Sequence, residues 1–111
     1  MIVTYRTLRE ANRERQKQWD TGNQIDLSYR GNELAGEVGE ACNLIKKLER
    51  ERLGIRGSRA SVGELAKELA DVVICVDLIA MMMGIDLDEA VMLKFNETSE
   101  KVELPHRLRL P

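Results

Sequence analysis

Apolar residues recur at three- and four-residue steps along most of the chain, a period typical of helices that bury one face. The pattern predicts four helices, at about residues 4–19, 26–53, 61–83 and 86–102. The clearest apolar stripe lies in the second helix and consists of Leu34, Val38, Ala41, Ile45 and Leu48. We therefore expect an all-α fold, a four-helix bundle in a single domain over residues 1–111 with an irregular tail at 103–111.

Capping residues mark the ends of these helices. The second helix starts near Asp26 or Ser28, both plausible N-caps, and Gly54 follows that helix as a residue that ends it. Ser61 and Glu64 have the spacing of a capping box at the start of the third helix. The same spacing recurs at the start of the fourth helix, so each predicted break has a local chemical cause.

The third helix is apolar nearly all round between Leu69 and Met83, and a helix without a polar face must be covered on every side. Three companion helices in a chain of 111 residues can hardly cover it. We therefore expect a homodimer or homotetramer with this apolar helix at its centre. The stretch is too short for a membrane span, which needs about 20 apolar residues, and it contains Asp71 and Asp77. We expect no membrane partner, and we expect Asp77 to hydrogen-bond at a subunit interface.

Charge and cysteine content narrow the class of protein further. The chain has 17 Lys+Arg against 19 Asp+Glu, a formal net charge of -2, which argues against a nucleic-acid partner. The first residues become charged before an apolar stretch can form, so no signal peptide is expected. Cys42 and Cys75 lie far apart within helical patterns, and we expect both to be buried free thiols of a cytoplasmic protein.

A repeated spacing of acidic residues is the most informative feature of the sequence. Glu37 and Glu40 lie three residues apart on the second helix, and Glu68 and Asp71 lie three apart on the third. Residues at this spacing project from one helix face with Cβ atoms about 5–6 Å apart. If the two helices pack antiparallel, the four carboxylates can meet. Asp71 is flanked by apolar residues, where an ionised carboxylate is costly without a cation or a donor.

Converging carboxylates repel one another, and a hard divalent cation removes that repulsion. Oxygen ligands at about 2.0–2.1 Å suit Mg²⁺, with Mn²⁺ as the natural substitute. Zinc is not expected, because the only histidine is His106, in the tail. Gly36 and Gly39 cost helix stability, which favours close approach of a backbone or ligand at these positions. The alternative is that the glutamates form a solvated helix face and that Asp71 bonds a structural partner.

Three segments of the chain resemble the all-α, MazG-like nucleoside triphosphate pyrophosphohydrolases. They are GEVGEA, KELADVVICVDLIA, and GIDLDEAV followed by KFN, and the resemblance covers about residues 4–102. It implies magnesium-dependent cleavage of a nucleotide between the α and β phosphates, which yields a monophosphate and pyrophosphate. By matching position it implies that Glu37, Glu40, Glu68 and Asp71 are the metal ligands. Two positions depart from the family pattern: Gly36 stands where many members have Glu, and Thr98 where several have Asn.

The resemblance and the chemistry together suggest further roles. Glu37 or Glu40 is the candidate catalytic base for the attacking water, and the sequence does not choose between them. Lys94, beside the apolar stripe of the fourth helix, and Lys47, on nearly the same face as Glu40, are candidate phosphate-binding residues. Either lysine could instead be an ordinary surface residue. Trp19 is the candidate base-binding residue, since relatives have a tryptophan near this point, and its alternative role is a core anchor.

Three functions remain open on this basis. The first is hydrolysis of a (deoxy)nucleoside triphosphate in nucleotide-pool housecleaning. The second is a sibling activity, such as hydrolysis of dUTP or phosphoribosyl-ATP. The third is a non-catalytic helical oligomer that serves as an interaction module. The sequence leaves open which base or sugar is preferred, and how many metal ions each site holds.

Overall fold

A computed structural model describes all 111 residues and contains four α-helices and no strand. They are α1 (Arg6–Trp19), α2 (Leu27–Leu53), α3 (Val62–Met82) and α4 (Leu87–Lys101). The prediction of an all-α fold is therefore confirmed, and every helix end lies within two residues of its predicted position. No helix is both long enough and apolar enough to cross a membrane.

Predicted capping residues account for the ends of α2 and the start of α3, with Asp26 rather than Ser28 as the N-cap of α2. The Asp26 carboxylate accepts a hydrogen bond from the Tyr29 amide at 2.8 Å, which satisfies one free donor of the first turn. Gly54 ends α2 in the left-handed region, with φ of 69°, a conformation that favours glycine. Ser61 and Glu64 form the reciprocal capping box, in which each backbone N–H donates to the other side chain at 3.1 Å.

The chain forms two compact units, and α3 contributes to both. The central unit comprises residues 25–76, that is α2 and the first part of α3. The terminal unit comprises residues 1–24 and 77–111, that is α1, the end of α3, α4 and the tail.

A buried polar cluster around Asp77 organises the terminal unit. Asp77 has no exposed surface, and its carboxylate accepts hydrogen bonds from Arg9 Nε at 3.0 Å and from Asn12 Nδ2 at 2.8 Å. Arg9 also donates to the Ile85 carbonyl at 2.9 Å. Arg9 and Asn12 lie three residues apart on one face of α1, so both donors reach the same acceptor. The predicted role of Asp77 at a subunit interface is therefore wrong, because its partners belong to α1 of the same chain.

Two further side chains connect distant parts of the terminal unit. The buried carboxylate of Asp88, in α4, accepts the backbone N–H of Tyr5, the N-cap residue of α1. A carboxylate at a helix N-terminus interacts favourably with the helix dipole. The Asn96 amide pairs with the backbone of Leu108, donating to its carbonyl at 3.0 Å and accepting from its N–H at 2.8 Å. The tail is thus held against α4 although it contains no helix.

The apolar surface of α3 is only partly covered. Leu69 and Val73 are 48% and 44% exposed, and Met82 and Met83 are exposed as well. The buried apolar residues of the whole chain are few, namely Ala41, Cys75, Leu78 and Ala80. A single chain therefore leaves part of the apolar surface of α3 exposed. The sequence predicts that a homo-oligomer covers this surface.

We expect Asp77→Ala to destabilise the protein by about 3 kcal/mol, because it leaves a largely buried Arg9 and a buried Asn12 without their acceptor. Glu14→Ala is the matched control, since it removes the ion pair with Lys17 between two exposed side chains, which contributes about 0.5 kcal/mol or less. Urea unfolding followed by circular dichroism measures both. An equal loss of unfolding free energy in the two variants would contradict a structural role for the Asp77 cluster.

Candidate metal centre

Three of the four predicted carboxylates come together in the central unit. One oxygen from each of Glu37, Glu40 and Glu68 can be chosen so that all three lie within 4.8 Å of one another. Glu37 and Glu40 share a face of α2 because they lie three residues apart, and Glu68 faces them from α3. The three residues are called the glutamate cluster below.

The neighbours of the cluster show that α2 and the first part of α3 run antiparallel. Glu33, one turn before Glu37, approaches the Cys75 thiol, whereas Glu40 lies beside Glu68 and shares a small cavity with Glu64. Residues further along α2 therefore lie beside residues nearer the start of α3. This confirms the antiparallel packing on which the convergence of the carboxylates depends.

The charges of the glutamate cluster are poorly compensated within the chain. Glu37 Oε2 and Glu68 Oε2 are buried and have no hydrogen-bond partner. Desolvation first, and then hydrogen bonding to Glu37 and Glu40 and their negative charges, together raise the pKa of Glu68 to about 7. Buried oxygen acceptors without donors are costly. An all-oxygen set of this kind fits a hard divalent cation, which would supply the missing positive charge.

Asp71, the fourth predicted ligand, lies outside this group of three. Its side chain is exposed, and so are Leu69 and Val73, the apolar residues two positions before and after it. The expectation that apolar neighbours make an ionised Asp71 costly is therefore wrong, because this carboxylate is open to solvent. Its role as a metal ligand stays a prediction that rests on its place one turn beyond Glu68.

Sequence reasoning missed Glu33, which extends the acidic face of α2. Glu33 lies four residues before Glu37 on the same helix face, and its carboxylate accepts a hydrogen bond from the buried Arg30 at 2.9 Å. The spacing of Glu33, Glu37 and Glu40 at positions i, i+4 and i+7 was the available signal. Arg30 balances the charge of Glu33, so Glu33 differs from the glutamate cluster in having a cationic partner.

The two cysteines differ in their surroundings. Cys75 is buried, and its pKa is raised to about 11, first by desolvation and then by the negative charge of Glu33. Cys42 is exposed, so the expectation that both thiols are buried is wrong for Cys42. Cys42 directly follows the buried Ala41, and the change of direction by about 100° per residue turns its side chain outward.

The remaining predicted site residues are accessible. Lys47 is half-buried on α2 in the central unit. In the terminal unit, Lys94 is exposed and forms an ion pair with Glu97 at 3.3 Å. Trp19 is 74% exposed, with the Arg15 guanidinium 5.7 Å from its ring centroid, so it is not a core anchor. The assignments of Lys47, Lys94 and Trp19 to phosphate and base binding stay predictions.

Gly36 and Gly39 flank Glu37 and are both exposed. A Cβ atom built at either position would meet nothing within 4 Å. The sequence suggested that a backbone or a ligand approaches these glycines closely. No other part of this chain does so.

Comparison with known families gives one match. The MazG nucleotide pyrophosphohydrolase domain matches residues 28–103, more than half of the chain, and the matched range contains the glutamate cluster and Asp71. Comparisons with curated proteins and with solved structures find no match.

We expect Glu68→Gln to stabilise the metal-free protein more as the pH rises from about 5 to 8. The pKa of Glu68 is about 7 in the folded chain and near 4.5 when unfolded, so the folded state binds more protons between these values and loses stability as the pH rises. Melting temperatures in EDTA at several pH values measure the difference between variant and wild type. Glu49→Gln is the control, since hydrogen bonding to Arg52 lowers the pKa of Glu49. If the difference in melting temperature between Glu68→Gln and wild type does not grow with pH, the crowding of these carboxylates is contradicted.

We expect a thiol reagent such as Ellman's reagent to modify one cysteine per chain rapidly at pH 8. Cys42 is exposed, whereas burial and a pKa of about 11 keep Cys75 protonated, and the thiolate is the reactive form. Cys42→Ser should remove the fast phase, and Cys75→Ser should leave it unchanged. A fast phase that survives in Cys42→Ser would contradict the buried position of Cys75.

Proposed function

The chain belongs to the MazG nucleotide pyrophosphohydrolase family, and from this premise we propose that it hydrolyses a nucleoside triphosphate between the α and β phosphates. The products are a nucleoside monophosphate and pyrophosphate, and the physiological role is the clearance of unwanted nucleotides. The glutamate cluster carries the proposal, because three carboxylates with two unpartnered buried oxygens form a site that needs a cation.

The charge of the substrate explains why such a cation is needed. A triphosphate is strongly anionic, so acidic side chains can hold it only through bridging cations. Bound Mg²⁺, with Mn²⁺ as its substitute, supplies positive charge to the phosphate oxygens and lowers the pKa of bound water. Glu37, Glu40 and Glu68 would hold the ion, with Asp71 as a fourth ligand. Either Glu37 or Glu40, the half-buried and the exposed glutamate of α2, would accept the proton of the attacking water.

Side chains outside the cluster complete the proposal. Phosphate transfer depends on positioning and charge, so the site needs cationic donors rather than a nucleophilic side chain. Lys47 and Lys94 are the proposed phosphate contacts, and the exposed indole of Trp19 is the proposed surface for base stacking. We also propose that a homodimer or homotetramer forms over the exposed apolar flank of α3, which sedimentation analysis would test.

We expect the protein, incubated with magnesium and each nucleoside triphosphate, dUTP and phosphoribosyl-ATP in turn, to release pyrophosphate rather than orthophosphate. Glu40→Gln should lower kcat by at least about 100-fold, the upper end of what the loss of an outer-shell partner costs at a metal site. Asp71→Asn should do the same, because Asp71 is the proposed fourth ligand. Far-ultraviolet circular dichroism should show unchanged helix content in both variants.

Glu51→Gln is the matched control, because Glu51 is exposed on the same helix and lies outside the cluster. Its turnover should match that of wild type, and its stability should change by no more than about 0.5 kcal/mol, as is usual for surface substitutions. Full turnover in Glu40→Gln would contradict the proposal. Failure of the wild-type protein to release pyrophosphate from any substrate would instead favour the non-catalytic interaction module.

A further inference from the structure

We propose that Lys67 and Asn43 bind a phosphate group of the substrate in the cavity beside the glutamate cluster. This inference rests on the proposed function and concerns two residues to which neither the family resemblance nor the carboxylate spacing assigns a role. The cavity has a volume of about 260 Å³ and is lined by Glu40, Asn43, Leu44, Glu64, Lys67 and Glu68.

The position of the cavity connects it to the proposed cation. Glu40 and Glu68 belong to the glutamate cluster and also form part of the cavity wall. A phosphate oxygen bound to a cation at the cluster would therefore have the rest of its phosphate group at the opening of this cavity. The volume exceeds the roughly 30 Å³ that one water molecule occupies in the liquid several times over, which leaves room for such a group.

Lys67 is a cation without a partner in this acidic wall. Its side chain makes no hydrogen bond or ion pair, although Glu64 and Glu68 neighbour it on α3. Glu64 is occupied by the capping box, where its Oε1 accepts from the Ser61 N–H and hydroxyl at 3.1 Å. The ammonium group of Lys67 therefore retains all three donors, and a lysine ammonium is a common phosphate ligand.

The other lysines of the central unit lie outside the wall of this cavity. Neither Lys46 nor Lys47 lines the cavity. Lys67 is thus the cation that reaches the space next to Glu40 and Glu68.

Asn43 supplies a donor from the opposite helix. It lies three residues after Glu40, so both project from the same face of α2. Its amide can donate two hydrogen bonds without adding a negative charge to an acidic wall. A phosphate group in the cavity would therefore be held between Asn43 on α2 and Lys67 on α3.

The test compares Lys67→Gln with Lys46→Gln, two changes that remove one positive charge from the central unit. Titration calorimetry of the full chain with MgCl₂ alone, and with sodium pyrophosphate in the presence of MgCl₂, measures cation and phosphate binding separately. We expect Lys67→Gln to weaken pyrophosphate binding by at least about tenfold, the usual effect of losing a charged hydrogen bond. Magnesium binding should stay within about twofold of wild type, and Lys46→Gln should match wild type in both titrations. Lys67→Arg should recover part of the lost affinity.

Steady-state kinetics give a second measurement where a substrate is found. Lys67→Gln should raise KM about tenfold or more, and Asn43→Asp, which places a negative charge beside the phosphate, should raise it as well. Wild-type pyrophosphate affinity in Lys67→Gln would overturn the inference even if the enzyme is active. An absence of magnesium-dependent pyrophosphate binding by the wild-type chain would also overturn it. Turnover with unchanged KM in both variants would overturn it while leaving the proposed function intact.

Discussion

Electrostatic repulsion among Glu37, Glu40 and Glu68 is the constraint on which the proposed site depends. One oxygen from each lies within 4.8 Å of the others, and two buried oxygens of the cluster have no hydrogen-bond partner. Elsewhere the chain places a cation beside its buried acids: Asp77 accepts hydrogen bonds from Arg9 and Asn12, and Asp88 Oδ2, which also lacks a hydrogen-bond partner, lies 3.6 Å from Arg6 Nε. The glutamate cluster has no such ion pair within the chain, and this difference supports the proposed cation.

Much of the fold follows from local sequence. Asp26, Gly54, Ser61 and Glu64 take the capping roles that their positions indicate, because a cap needs only neighbouring backbone groups. The convergence of the glutamate cluster was also predictable, because it needs only the spacing of three along α2 and an antiparallel α3.

Other features could not be predicted, because they depend on which side of a helix meets which neighbour. Asp71 lies in an apolar stretch of sequence, yet that side of α3 faces outward. Asp77 finds its partners in α1, which is distant in sequence. Lys67 was indistinguishable from other surface lysines until the cavity beside Glu40 and Glu68 was known.

The capping box at the start of α3 has a consequence for the glutamate cluster. Glu64 lies one turn before Glu68 on the same face of α3, and both line the same cavity. Because Glu64 Oε1 accepts from the Ser61 N–H and hydroxyl, this carboxylate is turned back toward the start of its own helix. A residue that ends the helix thereby also keeps a further negative charge from adding to the repulsion at Glu68.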